Sequence, residues 1–179
     1  MDLLDVLVDD HREIERLFRA LENAPPAGPR RRRLLAPLIV GLVGHLVAEE
    51  DLLYPAVRRR LPGGNRDADH GLGAHVLAEE LMRGLDHRDT ADPEFDVLLG
   101  RLIAQTRNHM REEEHDVFPR VRAACTGADL RHWGEVVTAV RRAQRRVHPA
   151  SVVDPAARLG AADLVDLLRA TATVRPAVT

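Results

Sequence analysis

The sequence predicts an all-α protein: an up-down-up-down four-helix bundle made from a duplicated helical hairpin, with a fifth helix towards the C-terminus. Three observations support this fold class. Aromatic residues make up only 3% of the 179 residues, which disfavours β-sandwiches and β-barrels. Ala, Leu, Arg and Glu dominate, and these residues favour helices. Turn signals at residues 23–29, 61–65 and 89–93 separate segments whose apolar residues recur at heptad-like spacing.

The apolar spacing predicts four bundle helices, at about residues 2–21, 29–59, 72–85 and 93–124. Pro37 lies inside the second segment and predicts a kink there or a later helix start. The fifth, amphipathic helix is indicated by Leu130, Trp133, Val137 and Val140. We therefore divide the chain into a bundle at residues 1–124 and a C-terminal helix and tail at residues 125–179. The tail packs on the bundle and carries a short apolar patch at residues 164–168.

Charge and composition exclude several function classes. The formal net charge is −2, so the field of the whole molecule gives no reason to expect a nucleic acid or a membrane as partner. No apolar run approaches the length of a membrane span. The single cysteine, Cys125, cannot form an intrachain disulfide, and the segment MDLLDVLVDDH lacks the basic start of a signal peptide. We expect a cytoplasmic protein.

The sequence contains an internal repeat with an offset of 64 residues. Residues 45–55, HLVAEEDLLYP, align with residues 109–119, HMREEEHDVFP, and residues 11–21 align with residues 75–85. Most aligned positions differ. The identical positions include the polar pairs Glu15/Glu79 and Glu50/Glu114 and, on the apolar stripes, His11/His75, His45/His109 and Glu49/Glu113.

The two histidine pairs and the Glu49/Glu113 pair fall on the apolar stripes of their helices. His45 and Glu49 are four residues apart, so they share a helix face, and Leu38, Leu42 and Leu52 continue that face. The conserved imidazoles and carboxylates therefore point into the core of the bundle. Burying them without compensation costs several kcal/mol per charge.

A metal ion compensates for this burial, because it requires neutral imidazole and ionised carboxylate together. Six nitrogen and oxygen ligands with no thiolate disfavour a structural zinc site and a thiolate copper site. Inward ligands on four helices are typical of di-iron and di-manganese carboxylate bundles. We predict Glu49 and Glu113 as the bridging carboxylates, with two imidazoles for each metal. The alternative is a set of core histidines satisfied by ordinary hydrogen bonds.

Four further residues stay open as metal contacts. Glu15 and Glu79 lie four residues after His11 and His75, and either of them ligates a metal, accepts from an imidazole N–H group or faces solvent. Tyr54 replaces the phenylalanine of the other repeat, and it is either a core aromatic residue or a hydroxyl near the metals. His70 is assigned to a loop or a helix start.

The pattern H, HxxxE, H, HxxxE, with the ending HxxxEExxLYP, resembles the hemerythrin/HHE cation-binding family over roughly residues 1–124. It is more similar to the bacterial hemerythrin-like branch than to the oxygen carriers of invertebrates. The resemblance implies two iron ions with an oxo or hydroxo bridge, held by His11, His45, Glu49, His75, His109 and Glu113. Manganese in place of iron is not excluded by the ligand types.

The oxygen carriers of the family have an additional histidine on the third helix, where this chain has Glu79. They also have a shorter carboxylate five residues after the last histidine, where this chain has Glu114. The resemblance therefore implies a di-iron protein that handles O₂, peroxide or NO, with a catalase-like activity as one form. The alternatives are a non-catalytic module that binds or senses O₂ or NO, and an iron store. The sequence does not decide whether the protein is an enzyme, and it indicates no oligomeric state.

Overall fold

A computed structural model describes residues 1–26, 28–147 and residue 169. The chain is all-α, as the sequence predicts, and folds as a helical bundle with an extra C-terminal helix. No helix in the described ranges is long and apolar enough to cross a membrane. The elements are α1 (Leu3–Glu22), α2 (Pro29–Ala48), a first π-turn (Glu49–Leu53), α3 (Tyr54–Arg60), α4 (Gly64–Asp86), α5 (Pro93–Glu112), a second π-turn (Glu113–Val117), α6 (Phe118–Ala124) and α7 (Gly127–Val147).

The helix starts follow from local chemistry. Asp2 and Asp5 form a reciprocal capping box at the start of α1, each carboxylate accepting from the other backbone N–H group at 3.0 Å. Asp92 caps α5, whose first residue is Pro93. Gly63 precedes α4 with a φ of 76°, a left-handed conformation that side chains other than glycine rarely adopt.

The start of one helix differs from the sequence predictions. The helix predicted at residues 72–85 begins at Gly64. The sequence pattern did not indicate this earlier start, because the first two turns of the helix are mostly polar and carry no apolar stripe apart from Ala68. The helix predicted from residue 29 runs through Pro37 without a later start. In the predicted tail, α7 is present, whereas the apolar patch at residues 164–168 lies outside the described residues.

Both π-turns begin at a glutamate of the repeated motif. The N–H group of Tyr54 bonds to the carbonyl of Glu49, and that of Phe118 bonds to the carbonyl of Glu113, so each bond spans five residues instead of four. A proline lies two residues beyond the end of each turn: Pro55 follows Tyr54, and Pro119 follows Phe118. Proline cannot donate to an α-helical ladder, and the wider turn occurs at the point where the ladder is interrupted. The two copies of the repeat thus share a local distortion as well as a sequence.

The core consists of two apolar clusters with a polar layer between them. The upper cluster contains the C-terminal half of α1, most of α2 and the C-terminal parts of α4, together with α5. The lower cluster contains the start of α1, the first π-turn, α3, the start of α4, α6 and α7. In each long helical segment the histidine or glutamate that the two copies of the repeat share lies at the junction of the two clusters. The fold therefore places the polar residues of the repeat at one level of the bundle.

Helix α7 packs against α1 and against the N-terminal end of the chain. Gly134 is buried in α7, and a Cβ atom there would lie 2.7 Å from the carbonyl oxygen of Met1 and 2.8 Å from the carbonyl carbon of Asp2. Backbone atoms at this distance cannot move aside as a side chain can. The close approach explains why a glycine occupies this position.

We expect Gly134→Ala to lower the free energy of unfolding by about 1–3 kcal/mol, since the methyl group collides with the backbone of the N-terminal end. Gly100→Ala in α5 is the matched control. Its Cβ atom meets nothing within 4 Å, so it should raise stability by up to about 1 kcal/mol. Urea denaturation of the two variants measures both changes. Equal effects would contradict the tight packing of α7.

Candidate metal centre

The structure brings all six residues of the predicted ligand set into one buried layer. α1 supplies His11, α2 supplies His45, and α4 and α5 supply the other two histidines. Both glutamates come from the first positions of the two π-turns. The exposed fractions are 3% for His11, 1% for His45, 0% for Glu49, 1% for His75, 6% for His109 and 2% for Glu113. Solvent therefore does not compensate their charges.

Four of these residues form a first ligand group, in which one nitrogen or oxygen of each lies within 4.8 Å of every other. The Nε2 atoms of His11 and His45 are 3.1 Å apart. His45 Nε2 is 3.0 Å from Oε1 of Glu49, and His11 Nε2 is 3.5 Å from Oε2 of Glu113. The four atoms converge on one point from three helical segments.

A second ligand group contains Glu49, His75 and His109. The Nε2 atoms of the two histidines are 3.2 Å apart, and His75 Nε2 is 3.1 Å from Oε2 of Glu49. Glu113 also reaches this group, because its Oε1 atom is 3.5 Å from His109 Nε2. Each glutamate thus directs one oxygen to each group. This is the arrangement that a carboxylate bridging two cations requires.

The donor chemistry of the layer fits cations. Among the described residues, Oε1 of Glu49 and Oε2 of Glu113 are buried with no hydrogen-bond partner, and both belong to the first group. A buried carboxylate oxygen that accepts no hydrogen bond is costly unless a positive charge faces it. Imidazole nitrogens about 3 Å apart have the spacing of neighbouring ligands on one ion at bond lengths of about 2.1 Å. The His/Glu cluster is able to bind metal.

Two further carboxylates accept hydrogen bonds from the Nδ1 side of two of the imidazoles, and each carboxylate comes from the other copy of the repeat. His11 Nδ1 is 2.6 Å from Glu114, and His75 Nδ1 is 2.8 Å from Glu50. Each histidine is paired with the glutamate of the other repeat. An Nδ1–H group that donates to a carboxylate leaves the Nε2 lone pair free for a metal. The sequence reasoning missed this role, although both glutamates are identical in the two copies.

The remaining two histidines break the symmetry of the repeat. His45 Nδ1 is 3.4 Å from Oδ2 of Asp10, which also forms an ion pair with Arg141 of α7. In the other copy, the residue aligned with Asp10 is Ala74, which has no carboxylate to offer His109. We call the side of the layer with His11 and His45 the first half of the site and the side with His75 and His109 the second half. Helix α7 contacts the first half through Asp10, and the second half has no aspartate at the aligned position.

Tyr54 stands in the second half of the site. Its hydroxyl donates to Oε1 of Glu113 at 3.0 Å and lies 3.2 and 3.4 Å from the Nε2 atoms of His75 and His109. Gly71 makes room for it, since a Cβ atom there would lie 2.3 Å from the hydroxyl oxygen. Of the two interpretations left open, the hydroxyl within the polar layer is the one that the geometry supports.

The aligned aromatic residue, Phe118, has a different environment. Its ring stacks on that of His11 with the centroids 5.6 Å apart and an angle of 17° between the planes. The residue aligned with Gly71 is Leu7, which is fully buried. One half of the layer is therefore closed by apolar packing, whereas the other carries a hydroxyl group.

The other residues left open from the sequence lie outside the two ligand groups. Glu15 accepts from Arg19 and Arg107 on the surface side of α1. Glu79 is buried, but its partners are Arg83 and Arg169. His70 is exposed, belongs to α4 and pairs with a neighbouring glutamate.

A cavity of about 550 Å³ adjoins the second half of the site. Tyr54, His109 and Glu113 line its buried end, and exposed residues such as His70 and Arg66 line its rim. The polar layer is therefore reachable for a small molecule from the side that carries the hydroxyl group.

Comparison with known proteins identifies related sequences and folds. The family model described as the Hemerythrin HHE cation binding domain matches residues 2–121. A crystal structure of a hemerythrin HHE cation binding domain-containing protein from Mycobacterium kansasii is similar, with a TM-score of 0.75 and 24% identity, covering 93% of this chain and 98% of that one. A Nostoc sp. protein named DNA nickase is 25% identical over 149 residues, which are 82% of this chain and 41% of the relative. The chain thus spans less than half the length of that relative.

Ionisation in the layer follows from its charge pairs. Burial favours the neutral ring of His45, but the attraction of Glu49 and the hydrogen bond to Asp10 outweigh it and raise its pKa to about 10. Burial likewise opposes the charged form of His75, yet its two glutamate partners raise its pKa to about 9. Burial disfavours the carboxylate of Glu50 too, and hydrogen bonds to His75 and Arg169 lower its pKa to about 2.

We expect the melting temperature of chelator-treated protein to fall as the pH rises from about 6.5 to about 10. The pKa values of His45 and His75 in the folded protein lie above the ordinary 6.5, so their stabilisation is complete below that pH and is lost as the rings deprotonate. Glu49→Gln removes the main attractive charge and should flatten the curve. Scanning calorimetry across this range measures both. A melting temperature that rises with pH would contradict the charge pairs.

Proposed function

The chain belongs to the hemerythrin HHE cation-binding domain family, and we propose that it binds two iron ions in the polar layer and handles O₂, peroxide or NO there. One observation carries the proposal: Glu49 directs its two oxygens to two different pairs of buried imidazoles. A single ion would leave one pair of imidazoles and one carboxylate oxygen without a cation.

The proposed ligands are the six residues predicted from the sequence. His11 and His45 would hold one ion, His75 and His109 would hold the other, and Glu49 and Glu113 would each contribute an oxygen to both. Nitrogen and oxygen donors without sulfur suit iron, and they distinguish it from thiolate-bound metals but not from manganese. The choice of iron rests on the resemblance of the ligand pattern to hemerythrins and on the excess of imidazole over carboxylate.

Ferrous ions in such a site supply electrons and open coordination positions to O₂, peroxide or NO. The chain determines how these ligands reach the site. The cavity at Tyr54 admits a small molecule to the second half, whereas the apolar packing of Phe118 and α7 covers the first half. Apolar clusters on both sides keep bulk water out of the layer.

Tyr54 is suited to donate a hydrogen bond to the incoming molecule. In the metal-free protein, burial raises the pKa of its phenol, and the neighbouring charges of Glu49 and Glu113 raise it further, so the hydroxyl is protonated there. A hydrogen-bond donor beside an open position would polarise an incoming peroxide, which favours its breakdown over simple reversible binding. For this reason we prefer a reactive site to a non-catalytic binding module, which remains the second candidate.

We do not extend the activity of the Nostoc nickase to this chain. The match covers 41% of that relative, so more than half of the protein that carries the name lies outside the aligned part. The formal net charge of −2 gives no electrostatic reason for binding a DNA backbone. We keep the prediction of a small-molecule ligand, no nucleic-acid partner and a cytoplasmic location.

Metal loading tests the ligand set. Protein loaded anaerobically with Fe(II) should carry about two irons per chain. The double variant Glu49→Gln and Glu113→Gln should retain none, because amides neutralise no cation charge while keeping the size of the side chain. Glu15→Gln is the control and should bind like the parent protein. Elemental analysis and the melting temperature record the outcome. A protein that accepts zinc but never iron would refute the proposal of an iron site.

Reactivity separates the two candidate functions. We expect Fe(II)-loaded protein to oxidise rapidly in O₂ and to break down H₂O₂, and we expect Tyr54→Phe to slow the peroxide reaction about 100-fold. Gly71→Ala should act in the same direction, since it displaces the hydroxyl without removing it. Stopped-flow spectroscopy with O₂, H₂O₂ and NO in separate runs provides the rates. An O₂ adduct stable for hours, with peroxide untouched, would favour the binding module.

A further inference from the structure

Two arginines that follow the family-matched residues 2–121 reach back to the polar layer. Arg141 lies in α7, and Arg169 lies in the C-terminal segment. Each makes a bidentate contact to a carboxylate that in turn faces the Nδ1 atom of a proposed ligand histidine. The two contacts serve different halves of the site.

In the first half, the guanidinium of Arg141 donates to both oxygens of Asp10, at 2.7 Å to Oδ1 and 2.5 Å to Oδ2. The same Oδ2 atom lies 3.4 Å from Nδ1 of His45. Asp10 is 19% exposed, so solvent shares in its charge only to a small degree. The guanidinium of Arg141 therefore contacts both oxygens of the carboxylate that faces His45.

In the second half, Arg169 donates to both oxygens of Glu50, at 2.7 Å to Oε2 and 2.8 Å to Oε1. The same Oε1 atom lies 2.8 Å from Nδ1 of His75. Arg169 also contacts Glu79. The two halves therefore use the same chemistry: one carboxylate oxygen is shared by a ring nitrogen and a guanidinium.

We propose that Arg141 and Arg169 are positioning residues for the metal site, acting through Asp10 and Glu50 on His45 and His75. The inference rests on the proposed function, because it assumes that these histidines bind metal. It assigns to the C-terminal part of the chain a role in both halves of the site, beyond packing on the bundle.

The physical basis is the planar fork of the guanidinium. Two parallel hydrogen bonds fix the plane of a carboxylate, which a single contact or a solvent molecule does not. A fixed carboxylate holds the imidazole N–H group in one direction and keeps the Nε2 lone pair aimed at the layer. Without the arginine, the carboxylate rotates and the ring loses its orientation, although every ligand atom is still present.

Metal affinity tests the proposal. Arg141→Met and Arg169→Met keep the length of the side chain and remove the fork, and each should weaken Zn(II) or Fe(II) binding about 10–100-fold in competition with a chelator. Arg122→Met is the matched control, because Arg122 pairs with Asp2 and Asp5 away from the layer and its loss should leave the affinity unchanged. Parent-like affinity in both arginine variants would overturn the inference. If the parent protein itself bound no metal, the proposed function would fail instead.

A second measurement separates positioning from general stability. In Zn(II)-loaded protein, the ¹H–¹⁵N NMR signal of the His45 Nδ1–H group should shift or exchange away in Arg141→Met, and that of His75 should do so in Arg169→Met. The His11 signal is the internal control, since Glu114 holds that ring. Arg141→Lys keeps the charge without the fork and should show the same loss in a folded protein. Signals that respond equally at all three rings would indicate a structural role and overturn the proposal.

Discussion

The charge of two buried glutamates is the constraint on which the rest of the structure depends. Glu49 and Glu113 lie at the centre of a helical bundle between two apolar clusters, where an ionised carboxylate without partners would cost several kcal/mol. The chain surrounds them with successive layers of polar groups: imidazoles next to the glutamates, carboxylates behind the imidazoles, and arginines behind two of those carboxylates. Each of these layers is stabilised by the next, and the outermost reaches solvent.

Duplication explains the histidines and glutamates of the polar layer, and its imperfections explain why a cavity adjoins the half that contains His75 and His109. Two equal hairpins would give two equivalent half-sites. Three substitutions prevent this: Tyr54 in place of the phenylalanine, Gly71 in place of the leucine that packs there, and Ala74 in place of the aspartate that holds the first half. Together they replace apolar closure with a hydroxyl group and an adjoining cavity. A nearly symmetric set of histidines and glutamates thus has asymmetric surroundings.

The sequence predicted the fold class and the members of the polar layer because both depend on periodicity, which the repeat displays twice. The remaining features depend on contacts between helices. Glu50 and Glu114 were visible as identical pairs, but only the spacing between helices shows which imidazoles they meet. Asp10 has no counterpart in the other copy, and Arg141 acts across 131 residues, so no local pattern marked them. The start of α4 at Gly64 was missed because its first two turns carry little apolar residue content.

The π-turns have a consequence for how the hairpins tolerate change. A π-turn accommodates one residue more than an α-helical turn does. The residues after it are therefore rotated by about 100° from the direction that they would have in an uninterrupted α-helix of the same sequence. Glu49 and Val57 are both buried, although such a turn lies between them. Removing one residue between Glu49 and Tyr54 would restore an ordinary α-helical turn, with Glu49 and Val57 seven residues apart and still on the same side of the segment. The π-turn therefore accommodates an additional residue between the polar layer and the lower cluster while the buried faces on its two sides stay aligned.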